Sequence, residues 1–133
     1  MPSLARLRKE LWKLCKLITR KRYLLEDGTW VCYTCGSKID KPKKAHTGHG
    51  IPDAFGGLLL RYDLRNLRVQ DMRCNFHFGG NGAVYLMKLR DEIGDEEVDD
   101  MFRLLAMKDF EIEERSFLLE KIDDYKKILE TLS

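Results

Sequence analysis

Four short segments carry the side chains able to do chemistry in this 133-residue chain: Cys32-x-x-Cys35, Thr47-Gly48-His49-Gly50-Ile51-Pro52, Asn66-Leu67 and Cys74-Asn75. A C-x-x-C followed at once by Gly36 lets a tight turn aim two thiolates at one Zn²⁺, and a closed structural zinc site needs four ligands. Cys74 is an obvious third. Asp71 or His77 offers the fourth, and ligand chemistry alone favours His77, because Cys₃His is a familiar zinc set and carboxylate is less usual beside thiolates. His49 stands between the two halves of this knuckle, at the end of a short β-like segment. With an ordinary pKa of about 6.5, a histidine can take a proton from water as that water attacks phosphorus. It precedes Asn66 by 17 residues and Asn75 by 26. Asn66 would hold the intervening loop, and so aim His49, by side-chain bonds to the backbone. A divalent metal held at the following helix start would face the base across a cleft, where it can bind a scissile phosphate and stabilise the leaving 3′ oxygen.

Three zones must position these groups. From Ser3, suited to an N-cap, to about Leu25, the residues Leu4, Leu7, Leu11, Leu14 and Ile18 recur at spacings of three and four, one stripe of an α-helix. Residues 29–72 show no helical period, carry Gly and Pro punctuation, and hold β-like pieces at Thr29–Val31, Ala45–His49 and Leu67–Val69. A second helix is expected from about Asn75 to Ile93, with Gly94 at its C′ position. A short helix from about Asp95 to Ala106 and a final one from about Ile112 to Leu132 follow. In the last, Leu118, Ile122, Tyr125, Leu129 and Leu132 fit packing onto the first helix or a seam between two subunits, with internal packing the expectation. Cys15, on the first helix, reads as a small buried side chain.

Composition bounds the setting. The length suits one compact unit and 44% hydrophobic content is ample for a core. No apolar run approaches the roughly 18 residues of a membrane span. The segment MPSLARLRKELWKLCK alternates charge with leucine and lacks the apolar block of a secretion signal, so the cytoplasm is the expected compartment. There, four cysteines are poor material for disulfides, and the two in Cys32-x-x-Cys35 read better as metal ligands. A net charge of +2 conceals an asymmetry: residues 1–90 hold 18 Lys/Arg against 7 Asp/Glu, and residues 91–133 hold 6 against 15. The basic front, with Arg20, Lys21 and Arg22 closing its helix, suits a polyanion such as DNA, because each neutralised phosphate releases condensed counterions.

Nearly end to end, the chain resembles the NinG/Rap family of lambdoid phages, recombination endonucleases that act on branched DNA within the broader ββα-metal (HNH, His-Me finger) group. The resemblance is carried by Leu11-Trp12-Lys13-Leu14 with Ile18 to Arg22, by Cys32-Tyr33-Thr34-Cys35-Gly36, by Gly48-His49-Gly50-Ile51, and by Arg61-Tyr62-Asp63-Leu64-Arg65-Asn66. It continues through Gln70-Asp71-Met72-Arg73-Cys74-Asn75, Gly80-Asn81, Tyr85, Ile93-Gly94, Glu97-Val98 and Tyr125-Lys126. It implies an α+β fold: a small zinc-knuckled ββα-metal core over 29–94, flanked by a basic N-terminal helix (1–28) and an acidic C-terminal helical extension (95–133).

What the resemblance implies about the site differs in one ligand. Asp71 stands where the family has cysteine, so the implied structural zinc set is Cys32, Cys35, Asp71 and Cys74, with His77 the alternative. Gly48 stands where many related nucleases carry a metal ligand; His46, on the same strand face, could substitute. By register Asn75 binds the catalytic Mg²⁺ or Mn²⁺, with Asn81 a weaker candidate. The implied activity is single-metal hydrolysis of DNA phosphodiesters by His49, oriented by Asn66, leaving 5′-phosphate and 3′-hydroxyl ends. Arg61, Arg65, Arg68 and Arg73 join Arg20, Lys21 and Arg22 as phosphate contacts, each with pairing to the acidic tail as its competing role. Branched substrates such as a Holliday junction or D-loop, a homodimer and a bacterial host cytoplasm are expected on the same ground. Two other expectations stand beside it: a non-catalytic, zinc-stabilised DNA-binding recombination accessory protein, and a protein whose acidic helices recruit a recombination or replication partner.

Overall fold

The leucine stripe forms the expected helix. In the computed structural model, which describes residues 1–76, 79–107 and 112–132, α1 spans Leu4–Tyr23, and the Ser3 hydroxyl accepts the Arg6 backbone N–H at its start. Leu7, Leu11, Leu14 and Ile18 are buried against Leu118, Ile122 and Tyr125 of α6 (Glu114–Thr131). Each such side chain contributes roughly 1.5–3 kcal/mol of apolar burial. The Tyr125 hydroxyl donates to the Tyr62 carbonyl at 2.5 Å. The repeat in the last helix is therefore used within the chain. Cys15 lies fully buried in the same cluster, and burial pushes its thiol up to about 12.

Two small antiparallel pairs make the sheet component of this α+β fold. β1 (Trp30–Val31) pairs with β2 (Lys38–Ile39), and β3 (Ala45–His49) pairs with β4 (Leu67–Asp71) in a register running from Ala45 opposite Asp71 to His49 opposite Leu67. α3 (Met72–Phe76) follows β4 without a break. The Tyr33 N–H donates to the Val69 carbonyl, which seats the first cysteine turn on β4.

Two expectations about elements are corrected. The connection between β3 and β4 contains a helix, α2 (Asp53–Arg61), where no helical period was read; it starts after Pro52 and is interrupted at Gly57 (φ 63°, ψ −164°), which hides its periodicity. The helix expected over 75–93 is two pieces, α3 and α4 (Gly82–Ile93), separated at Gly80 and Asn81, both in the left-handed region (φ 80° and 53°). Gly94, at φ 93°, closes α4 as expected and opens α5 (Asp95–Ala106).

The charge asymmetry is largely resolved inside the chain. Asp95, Glu96 and Glu97 complement the N-terminal dipole of α5. Asp99 pairs with Arg90, Asp100 and Glu97 pair with Arg65, and Glu114 pairs with Arg8. The acidic helices thus bind back onto the basic part of the same chain. Among the described residues, no helix is long and apolar enough to cross a membrane.

Candidate catalytic cleft and cysteine cluster

The first cysteine turn is built as its sequence requires. Gly36 takes φ 77° and returns its N–H to the Cys32 carbonyl, so Cys32 and Cys35 face the same way. Cys74, at the centre of α3, completes a cluster in which the three sulfurs lie within 4.8 Å of one another. Burial works against ionisation of Cys32, yet the Thr34 hydroxyl and the backbone N–H groups of Asp71, Cys35 and Thr34 bring its thiol down to about 7. Burial pushes the Cys74 thiol up to about 11. Three soft donors this close suit a thiophilic ion such as zinc. The structure does not bring the Asp71 carboxylate into this cluster: it accepts the Arg73 N–H at 2.8 Å at the start of α3. His77 lies outside the described residues.

His49 ends β3, and its ring is held by two contacts. Nε2 lies 2.9 Å from the Arg61 carbonyl, and because a carbonyl only accepts, Nε2 carries the proton and Nδ1 holds the free lone pair. The Trp12 indole stacks on the ring, centroids 5.2 Å apart and planes 8° from parallel. Burial holds the imidazole below its ordinary 6.5, against the opposing pull of the Arg61 carbonyl and Asp53.

Asn66 is 0% exposed, and every end of its amide is used on the loop that follows His49. Its Oδ1 accepts the Ile51 N–H at 2.7 Å, while Nδ2 donates to the carbonyls of Ile51 and Leu60. Glycine is required beside it, since a Cβ on Gly50 would lie 2.9 Å from the Tyr85 ring and 3.1 Å from Asn66 Oδ1. Asn66→Ala takes the amide away from the Ile51 N–H and carbonyl, while the Leu60 carbonyl keeps backbone donors; it is expected to destabilise the fold by about 3 kcal/mol, read as a lower midpoint in chemical denaturation.

A cleft of about 350 Å³ opens between α1 and β3, lined by Trp12, Lys16, Arg20, His46, Thr47 and Asn75. Strand alternation puts His46 and Gly48 on one side of β3 and His49 on the other; Trp12 reaches both, one face on His49 and its edge in the cleft. His46 Nδ1 lies 3.5 Å from the Asn75 amide nitrogen. Lys16 has no ion pair among the described residues. Arg20 also lines the cleft, with its guanidinium on the Ala45 and Pro42 carbonyls and over Trp30. Asn81 opens α4 without a side-chain cap bond.

The other arginines divide. Arg68 is corrected from a phosphate contact to an interior tie: it is 3% exposed, pairs with Glu92 at 3.1 Å, donates to the Leu64, Arg65 and Leu67 carbonyls and lies over Tyr23 and Tyr33. Arg68→Met removes the cation beside Glu92, which keeps the Tyr23 and Tyr33 hydroxyls, and the donor to three carbonyls; it should destabilise the protein by about 2–3 kcal/mol in denaturant titrations. Arg65 is likewise held by Asp63, Glu97 and Asp100, and Arg61 by Asp53. Arg73, at 70% side-chain exposure, lies 3.6 Å from the Asp71 carboxylate, and Lys21 and Arg22 are exposed with no ion pair among the described residues.

Two side chains beside His49 and His46 carry no local sign in the sequence of where they lie. Trp12 sits beside the buried stripe of α1 with no local sign of a role. Gln70 faces His46 across the strand pair, and only the β3–β4 register places it there.

A family model described as Bacteriophage Lambda NinG protein matches residues 3–133. No curated protein and no solved structure matches the chain.

Proposed function

The chain belongs to the bacteriophage lambda NinG protein family, and from that membership together with the cleft we propose that it is a metal-dependent DNA endonuclease. It hydrolyses phosphodiester bonds in branched recombination intermediates, in the cytoplasm of the infected bacterium. The observation that carries the reading is the state of His49: neutral, proton fixed on Nε2 by the Arg61 carbonyl, and Nδ1 left basic. The order of β3, the α2-bearing connection, β4 and α3 supports a ββα-metal core, with His49, Asn66 and Asn75 at the positions such a core uses.

In the proposed reaction, Nδ1 of His49 takes the proton from the attacking water. Trp12 prevents the ring from turning, and Asn66 keeps the loop bearing the Arg61 carbonyl in register with it. Lys16 and Arg20 hold phosphates at the cleft mouth. Asn75 and His46 are oxygen and imidazole donors that suit Mg²⁺ or Mn²⁺ better than a thiophilic ion. The chemistry supplied by a cation bound there is charge stabilisation at the scissile phosphate and the departing 3′ oxygen. Cys32, Cys35 and Cys74 would hold a structural zinc, with Asp71 or His77 as the candidate fourth ligand. A homodimer, which paired cuts in a junction call for, must use a surface other than the α1–α6 contact, since that face is already filled.

A second reading, a zinc-stabilised DNA-binding accessory protein without turnover, is favoured by Gly48, which brings no ligand side chain to the cleft. Incubating the protein and its His49→Ala variant with synthetic four-way, flap and linear duplex DNA, with Mg²⁺, Mn²⁺ or neither, separates the two. Cleavage of branched DNA that needs metal and His49 is expected. Binding with no cleavage under any metal would establish the accessory role instead.

A further inference from the structure

Gln70 is the chain's only glutamine and is 0% exposed on β4, opposite His46. A buried amide needs partners at both ends. Its nitrogen has two: Nε2 donates to the Gly80 carbonyl at 2.8 Å and to the Thr34 hydroxyl at 3.1 Å. Because a carbonyl can only accept, the Gly80 bond settles which end of the amide is nitrogen. The other end, Oε1, is buried with no hydrogen-bond partner. It is aimed at Gly48: a Cβ there would lie 1.8 Å from Gln70 Oε1 and 3.1 Å from Asn75 Oδ1. Two amide oxygens from different elements therefore converge on the point where a side chain at position 48 would begin, beside His46.

We propose that Gln70 Oε1 is a ligand of the divalent cation in the cleft, supplying from β4 the donor that Gly48 lacks on β3; the assignment rests on the nuclease reading of that cleft. An amide oxygen is a hard, neutral donor of the kind Mg²⁺ and Mn²⁺ accept. Glycine at 48 follows from the same geometry, since any side chain there would displace the amide. The set Gln70, Asn75 and His46 carries no negative charge, so the site holds its cation weakly until a DNA phosphate joins it. Thr34 sets the aim of the amide from the cysteine cluster, its hydroxyl lying 3.5 Å from Cys32 Sγ.

The test uses the full, zinc-loaded chain without DNA, with Mn²⁺ binding followed by electron paramagnetic resonance. Gln70→Ala is expected to weaken Mn²⁺ binding about tenfold or more with zinc content unchanged. Combining it with Gly48→Asp, which places a carboxylate in the vacated space, is expected to restore binding. A second measurement needs no variant: with ¹³C-glutamine labelling the single Gln70 Cδ resonance should shift on adding Mg²⁺. Equal Mn²⁺ affinity in Gln70→Ala, or an unmoved Cδ while His46 and Asn75 resonances shift, would overturn the Gln70 assignment and leave the nuclease reading standing. A wild-type chain that binds no Mn²⁺ either alone or with four-way DNA present would overturn both.

Discussion

His49→Ala is expected to lower metal-dependent cleavage of branched DNA by about 10²–10⁴-fold while leaving binding of the same DNA nearly unchanged. The basic nitrogen of this imidazole is defined by the fold, through the Nε2 bond to the Arg61 carbonyl and the Trp12 stack. Alanine removes the proton acceptor but touches neither Lys16 nor Arg20, which line the cleft from α1. A pH profile gives the second signature. Burial holds the folded pKa of His49 below 6.5, so wild-type cleavage should fall as pH drops through a midpoint below 6.5 and stay level above it. Stability has the same sign: with the folded value depressed relative to the unfolded one, the stabilisation is complete above about 6.5 and is lost as pH falls through the folded pKa. A variant that cleaves like wild type, or an acid limb centred above 6.5, would remove His49 from the mechanism.

Cys74→Ser, or extraction of zinc by a chelator, is expected to lower the unfolding free energy by about 3 kcal/mol or more, a fall in Tm on the order of 10 °C. The reason is the size of what the cluster holds together. Its apolar surroundings are Trp30, Cys32, Ile39, Ala45, Val69 and Cys74, bearing on two strands of two residues each, too little core to stand without a cross-link. The effect should reach the cleft as well, because Thr34 contacts both Cys32 Sγ and the Gln70 amide. Metal analysis of the purified protein should find about one zinc per chain, and thermal unfolding before and after chelation measures the loss. A protein isolated without zinc, with its Tm unchanged by Cys74→Ser, would show that packing alone holds the knuckle.

The features legible in the amino-acid order are those set by local chemistry. A leucine every three or four residues suffices for α1 and for the packing face of α6, because helical periodicity is a property of the segment itself. The Cys32-x-x-Cys35-Gly36 turn is equally local, and Cys74 joins it through one hairpin and one short helix. Asn66 was readable as a loop holder because a buried asparagine has few uses other than bonds to backbone. The helix α2 was not readable, since Gly57 interrupts the period that would have announced it.

β4 shows where local reading stops. Leu67, Arg68, Val69 and Gln70 are all buried, so both faces of the strand are covered and the usual alternation of inside and outside carries no information. By residue type, Arg68 belongs at a DNA surface and Gln70 nowhere in particular. In the fold Arg68 turns inward to Glu92 on α4, and Gln70 lies under Gly48 with its oxygen unpaired. Asp71, one residue on, turns its carboxylate to the Arg73 amide. The amino-acid order supplies the donors: three cysteines, one histidine after Gly48 and two asparagines in fixed sequence. Where each donor points is set by packing, because it depends on Trp12, Arg61, Thr34 and Gly80, which come from other segments and meet these residues only when the chain is folded.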